Sequence, residues 1–373
     1  MDWSQVSKLH VEISSLCNAA CPQCARHPTA SYFLNPMIED KEKWTLDQVK
    51  KNFPKEDLAN LKTIMYNGTV GDFITNTQAI PIAKYFSEAN DFIYSVVNTN
   101  GSARPIEWWQ NLAEIPRLKV NFAIDGLKDT NHIYRRRTDF DTIIRNAKAF
   151  IEAGGEADWH MIVFDHNKHQ IESCRELSKT LGFKKFHFRH TDRRDTAVRD
   201  QNGKYEYDIR AVTIDGNLRN PNFISIDHAK MMSDVEDRMI KKTFKPYTVI
   251  KNVKKLEHVN NCESIREKSI YITSNWIVMP CCFLGATVIN KEYDYKYREL
   301  MDLIVSENKT FSDFIAREEN TVRNIIENHS FDWIYKKLET DYPLKTCYNA
   351  CHFNDSNYKR MWNEQKTVNF DEE

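Results

Sequence analysis

The sequence predicts an α/β fold built on a parallel sheet that is curled into a full or partial barrel. Three observations lead there. Short β-rich runs alternate with longer stretches of helical spacing through about the first 190 residues. The alternation occurs six times, and the residues suited to chemistry fall just after the β-rich runs. Strand-then-helix units in series imply parallel strands joined by crossover helices. In parallel barrels the chemistry sits on loops that leave the carboxyl ends of the strands.

The first strand is expected over 8–13 and is followed by the run CNAACPQC, residues 17–24. Thr45-Leu-Asp-Gln48 reads as a capping box that opens the first helix. A strand over 63–65 leads into Asn67-Gly-Thr-Val-Gly71-Asp72-Phe73, and a helix is expected over 78–89. The third strand, 93–98, precedes Thr99-Asn100-Gly101 and a helix over 104–112. The fourth, 119–124, ends on Asp125-Gly126, and a helix over 140–153 follows. A fifth strand over 159–165, a helix over 168–181 and a sixth strand over 185–189 complete the series. Beyond it, 195–254 is polar and irregular, with turn signals at Asn202-Gly203 and Asp215-Gly216, and reads as a connector. A cysteine-bearing region begins at Cys262, with a strand-like run over 269–279 leading into Pro280-Cys281-Cys282. A helix-rich stretch over 295–338 separates these from Cys347 and Cys351. The division expected is 1–195 for the barrel, 196–260 for the connector and 261–373 for a second, smaller domain.

Bulk properties exclude several classes. Among 373 residues, 28% are charged and the formal net charge is −1, which argues against a general nucleic-acid-binding surface. No uninterrupted apolar window of about 18 residues marks a membrane span. The start, MDWSQVSKLH, lacks the features of a secretory signal, so a cytoplasmic protein is expected. Nine cysteines are many for a reducing compartment, where clustered thiols bind metal or do chemistry. Three lie within eight residues near the start and five after residue 260. Cys174 stands alone in a helical pattern and reads as packing.

Thiolates at Cys17, Cys21 and Cys24 on one tight loop suit three irons of a cubane cluster, leaving the fourth iron open to a ligand. The competing reading is a zinc loop completed by His27. Gly71 lets backbone approach a ligand closely, and Asp72 beside it suits an ammonium group. Arginines cluster at Arg135-Arg136-Arg137 and at Arg189 with Arg193 and Arg194, as groups that hold carboxylates or phosphates would. The alternative is a solvated face paired to Asp139, Asp192 and Asp195. Cys262, Cys281, Cys347 and Cys351 suit a second cluster or a four-thiolate zinc site.

The segment 9–26 resembles the signature of the radical S-adenosylmethionine (SAM) superfamily, and the strand–helix order to about residue 190 is similar to its partial (β/α)6 barrel. The resemblance implies a [4Fe–4S] cluster on Cys17, Cys21 and Cys24, with SAM bound through its amino and carboxylate groups to the open iron. Reductive cleavage would then give methionine and a 5′-deoxyadenosyl radical that abstracts hydrogen from substrate. An electron donor such as flavodoxin or ferredoxin is implied. Val70-Gly71-Asp72-Phe73 is similar to the family's GGEP motif, which holds the SAM amino group, and departs at two of four positions. Asn100 and Asp125 match strand ends that border SAM or substrate, and Arg135 or Arg136 matches the arginine that often takes the SAM carboxylate. Gln23 stands where an aromatic residue is common, and Ala123 where a serine is common.

The run 271–282 resembles the hairpin and Pro-Cys of SPASM and twitch domains, with Asn275-Trp276 where a glycine is common. That resemblance implies a small α+β twitch-like domain with one auxiliary [4Fe–4S] cluster on Cys262, Cys281, Cys347 and Cys351, and Cys282 as the spare. The function expected is hydrogen abstraction from a small anionic substrate, with Arg189, Arg193 and Arg194 as its partners. Modification of a peptide or protein is the alternative, and a zinc-stabilised binding protein is a third reading. With a first strand near residue 8, no N-terminal leader-binding domain is expected, which favours the small substrate.

Overall fold

The structure, a computed structural model, describes residues 2–36, 38, 43–191, 193–241, 262–289, 295–329, 331–338, 344, 346–347 and 365–371. Its centre is a parallel sheet of six strands in sequence order: β1 (Lys8–Val11), β2 (Thr63–Tyr66), β3 (Tyr94–Thr99), β4 (Leu118–Ala123), β5 (Glu156–Val163) and β6 (Lys185–His190). The crossovers are α1 (Leu46–Asn52), α2 (Ala79–Ser87), α3 (Ile106–Ala113), α4 (Asn131–Tyr134), α5 (Phe140–Glu152) and α6 (Ile171–Thr180). The expected capping box is present: Gln48 N donates to Thr45 Oγ1 at 3.3 Å, and Thr45 N donates to Gln48 Oε1 at 2.9 Å.

Strand side chains alternate between faces at a period of two. Leu9, Ile64, Val97, Phe122, Trp159 and Phe186 are buried in one core with helix residues such as Phe86, Trp109 and Phe150. The intervening residues form a polar inner face, where Asn121 Nδ2 donates to Asn98 Oδ1 at 2.9 Å and Lys119 Nζ to Asp158 Oδ2 at 2.8 Å. The sheet is open, so the barrel is partial.

The irregular connector expected over 195–254 is corrected in its described part. It holds an antiparallel hairpin, β7 (Thr196–Arg199) and β8 (Tyr205–Ile209), and the sixteen-residue helix α7 (Ser225–Ile240). Residues 242–261 lie outside the described ones. The hairpin buries Val198 and Ile209 against Tyr134, Phe164 and Cys21, while Tyr205 and Glu206 stay exposed. A two-residue hairpin face is too short a signal to stand out in a polar stretch.

The run expected as one strand over 269–279 is a hairpin. After α8 (Glu263–Arg266), β9 (Ser269–Ile272) pairs parallel with β1, and β10 (Val278–Met279) returns antiparallel on β9. Then come α9 (Cys282–Ile289), α10 (Tyr295–Ser306), α11 (Val322–Asn328) and α12 (Asp332–Leu338). A last strand, β11 (Gln365–Asn369), pairs antiparallel with β6. The full order is β10-β9-β1-β2-β3-β4-β5-β6-β11, so the late segment shares the barrel's sheet at both edges. No described helix is long and apolar enough to cross a membrane.

Trp276 turns the late hairpin with φ at +64°, a backbone that favours glycine. The ring explains the residue. It stacks on Trp44 with centroids 4.0 Å apart and planes 10° apart, and Trp44 Nε1 donates to the Thr273 carbonyl at 3.2 Å. A left-handed conformation costs roughly 1–2 kcal/mol, whereas truncating a buried Trp costs about 3–5 kcal/mol. Trp276→Gly should therefore destabilise by about 1–4 kcal/mol despite relaxing the turn. Chemical denaturation followed by circular dichroism checks this; a gain in stability would show that the stack contributes little.

Candidate active site at the carboxyl ends of the strands

The loop after β1 presents Cys17 and Cys24 half-buried and Cys21 buried. Turns fix it: Cys24 N donates to the Cys21 carbonyl at 3.1 Å, His27 N to the Cys24 carbonyl at 2.9 Å, and Ala20 N to the Arg136 carbonyl at 2.9 Å. Each sulfur faces a donor. Asn100 Nδ2 lies 3.7 Å from Cys17 Sγ, Arg135 Nη1 3.8 Å from Cys21 Sγ, and Arg26 N 3.5 Å from Cys24 Sγ. Burial pushes the Cys17 and Cys21 thiols up, Cys21 to about 11, so metal binding must displace protons there.

A single zinc ion fits these thiols poorly. Zinc–sulfur bonds of about 2.3 Å would bring two thiolates within about 3.8 Å of each other. Among the described residues, the His, Cys, Asp and Glu atoms that gather within 4.8 Å of one another are those of Asp158, His160 and His187, not the three cysteines. A cubane gives each thiolate its own iron and suits the wider spread. His27 Nδ1 lies 3.2 Å from the Phe33 carbonyl.

Gly71 and Asp72 serve the architecture. A Cβ on Gly71 would stand 1.7 Å from the Ser14 carbonyl oxygen, so the loop after β2 packs onto the end of β1 only as glycine. Asp72 is buried and its oxygens are filled by the protein. Oδ1 accepts from Thr99 Oγ1 at 2.7 Å and Ile74 N at 3.2 Å, and Oδ2 from Asn100 N at 2.9 Å and Asn100 Nδ2 at 2.7 Å. Burial raises its pKa, opposed by the Asn100 and Thr99 hydrogen bonds. The carboxylate thus ties the loops after β2 and β3 together, and Asn100 passes that order on to Cys17.

Asp125 is wholly buried; Oδ2 accepts from Arg135 Nε at 2.6 Å and Oδ1 from Ile162 N at 2.6 Å. Burial works against the charge on Arg135, and Asp125 and then Cys21 outweigh it, so the guanidinium stays protonated beside the sulfur. Arg189 and Arg193 approach from β6 and the segment after it. Burial and then Arg193 lower the Arg189 pKa, with Arg135 a further cation nearby. Arg193 Nη1 donates to Tyr134 Oη at 2.6 Å and to the Gln23 carbonyl at 3.2 Å. The residue is exposed to solvent. Arg194 is exposed and contributes its carbonyl, which accepts from Gln23 Nε2 at 2.8 Å.

Arg136 and Arg137 depart from the expected direction. Arg136 stacks 3.7 Å from the Tyr32 ring centroid, donates to the Arg199 carbonyl at 3.1 Å and lies 3.6 Å from Glu206. Arg137 lies 4.5 Å from the same ring. An aromatic face and the β7–β8 hairpin draw them away from the cysteines. Asp139 caps α5, accepting from Thr142 N at 2.8 Å, and Asp195 pairs with Arg210 at 3.0 Å; Asp192 lies outside the described residues.

The model of the radical SAM superfamily matches residues 11–177. Residues 11–177 belong to the radical SAM superfamily. For this segment membership implies a [4Fe–4S] cluster and SAM. Solved structures are similar at low identity. Streptococcus suis SuiB matches at 14% identity and TM-score 0.46 over 78% of this chain and 66% of that one, just under two thirds of its length. The same protein bound to precursor peptide SuiA gives 14%, 0.48, 92% and 76%. BtrN in complex with AdoMet and 2-DOIA gives 11%, 0.42, 90% and 88%. No curated protein matches the chain.

Two residues packed against the loop after β2 were not singled out from sequence. Glu12, just past β1, accepts from Thr69 N at 2.7 Å and from the hydroxyl of Tyr271 on β9. Burial raises its pKa to about 7, against the Thr69 amide. Tyr271 Oη also lies 3.0 Å from Thr69 Oγ1. Glu12 continues the polar–apolar alternation of residues 8–13, which does not set it apart, and Tyr271 likewise had no signal.

Asp72→Ala should act first on stability. It leaves Thr99 and Asn100 with buried donors and no acceptor, each worth about 1–3 kcal/mol. Denaturation of the iron-loaded protein should show the loss directly. Unchanged stability with weakened SAM binding would instead make Asp72 a direct SAM ligand.

Proposed function

We propose that this chain cleaves SAM reductively and abstracts hydrogen from an anionic substrate, a small molecule or short peptide. The observation that carries the substrate class is the approach of Arg135, Arg189 and Arg193 to one another beside the cysteine loop, with Asp125 as the carboxylate among them. Cations gathered beside one another, with Arg135 and Arg189 partly buried, call for an anion. One of them, Arg135, suits the SAM carboxylate; Arg189 and Arg193 remain for substrate.

Cys17, Cys21 and Cys24 would hold the [4Fe–4S] cluster. When bound, it supplies the electron that cleaves SAM to methionine and a 5′-deoxyadenosyl radical. The protein's part is positioning and exclusion of water. Asn100, Arg135 and the Arg26 amide donate toward the three sulfurs. Tyr134, Phe164, Val198 and Ile209 cover the loop with apolar surface. The electron would come from a carrier such as flavodoxin or ferredoxin.

We also assign an auxiliary [4Fe–4S] cluster to Cys262, Cys281, Cys347 and Cys351, the last lying outside the described residues. In support, Cys262 and Cys281 both lie close enough to Tyr335 to raise its pKa, after burial. Thr287 Oγ1 on α9 and Thr346 Oγ1 lie 3.1 Å apart, bringing Cys347 toward the helix that starts at Cys282. The small twitch-like domain is proposed on the same cysteines.

Replacing Cys17, Cys21 and Cys24 together by Ala should abolish 5′-deoxyadenosine formation with dithionite and leave about four of about eight irons. Product at the wild-type level would end the radical SAM assignment of these thiols, and fewer than about five irons in wild type would remove the auxiliary cluster.

Arg189→Gln with Arg193→Gln should leave uncoupled SAM cleavage in place and lower substrate-dependent turnover. A lost charged hydrogen bond is worth about 1.5–3 kcal/mol, on the order of tenfold to a hundredfold. Turnover at the wild-type level would leave the anionic substrate without support.

A further inference from the structure

On the inner face of the sheet, apart from the cysteine loop, Asp158 and His160 of β5 meet His187 of β6. Asp158 and His160 are two residues apart and share a face. His160 and His187 are cross-strand partners with ring centroids 4.4 Å apart. One ligand atom from each of the three lies within 4.8 Å of the others. His160 and His187 each sit three residues before the end of their strand, roughly 10 Å below the loops at about 3.3 Å per residue. They are therefore separate from the cluster site.

Two features mark this as more than an ion pair. Asp158 is fully buried, and its Oδ1 has no hydrogen-bond partner among the described residues. His160 Nε2 is likewise buried and unpartnered. The ion pair accounts for the other atoms only: Asp158 Oδ2 takes Lys119 Nζ at 2.8 Å and faces His187 Nε2 at 3.3 Å. Buried polar atoms left unmade are rare and call for an explanation. The surroundings are those of a prepared ligand set. On β11, Gln365 Nε2 donates to His187 Nδ1 at 3.1 Å and Thr367 Oγ1 lies 2.8 Å from the same nitrogen, so the ring is held from behind and a metal on Nε2 would displace the proton that faces Asp158.

We propose that Asp158, His160 and His187 bind one divalent cation of the zinc or ferrous class, through a carboxylate oxygen and two imidazole nitrogens. Two imidazoles and one carboxylate are a donor set suited to such ions, with positions left open. Lys119 competes with the ion for the same carboxylate, so the ammonium holds the site when no metal is present. The proposal is independent of the substrate and of the auxiliary cluster.

The test uses the anaerobically reconstituted protein, whose cluster thiols are occupied by iron, dialysed against micromolar zinc and analysed by inductively coupled plasma mass spectrometry. Wild type should retain about one zinc per chain. His160→Asn with His187→Asn should lose it while keeping its iron. Lys119→Met, which removes a like charge beside the ion, should bind zinc about tenfold more tightly. If the double variant fails to fold, Asp158→Asn and Lys119→Met decide. Absence of zinc from both wild type and Lys119→Met overturns the proposal, as does full zinc retention by a folded double variant.

Discussion

Each strand of the parallel sheet must satisfy two environments at a period of two residues, and the rest of the molecule follows from that constraint. Leu9, Val97, Phe122, Trp159 and Phe186 bury one face beneath the crossover helices. The other face is thereby free to be polar without loss of core. Asn98, Asn121, Lys119, Asp158, His160 and His187 occupy it, and they stay in place because the buried set fixes the register. A slip of one residue would place Lys119 and Asp158 under the helices. The chemistry-bearing interior is therefore as firmly specified as the hydrophobic core that holds it.

The loops at the carboxyl ends inherit this rigidity through a few buried carboxylates. Asp72 joins the loops after β2 and β3, and Asp125 joins the end of β4 to β5 and to Arg135. Neither carboxylate points at open space. Each positions a donor, Asn100 or Arg135, that faces a cysteine sulfur. A buried charge held by several hydrogen bonds on rigid strands orients its partners more tightly than a flexible contact would.

The barrel half of the fold was legible in the sequence because its signals are local. The six strands start and stop within about three residues of expectation, and Thr45 and Gln48 form the capping box their spacing implies. The cysteine loop was legible for the same reason, since three thiols in eight residues need no tertiary information. Roles that depend on what faces a side chain were not legible. Asp72 has the neighbours of a ligand-binding acid, but whether its oxygens are filled is decided by Thr99 and Asn100, 27 and 28 residues away. Arg135 and Arg136 are adjacent in sequence and point to Cys21 and Tyr32 respectively. The pairing of β9 with β1 joins residues about 260 apart, and no periodicity reports it.

That long-range pairing connects Cys281 to the loop after β2. β9 brings Tyr271 to Glu12 and Thr69, so one side chain of the late segment lies beneath the loop after β2. The same ring leaves no room above it: a Cβ on Gly285 of α9 would stand 2.0 Å from a Tyr271 ring carbon. Gly285 lies one turn along the helix from Cys281 and Cys282, and Gly285 N donates to the Cys281 carbonyl at 3.0 Å. The chain of contact thus runs from Cys281 through Gly285 and Tyr271 to Glu12 and the Thr69 amide. Each link is a close packing contact or a buried hydrogen bond, so the hairpin and α9 are seated on the loop after β2 with little free volume between them. Trp276, held on Trp44 at the turn of the same hairpin, keeps that chain seated on the barrel.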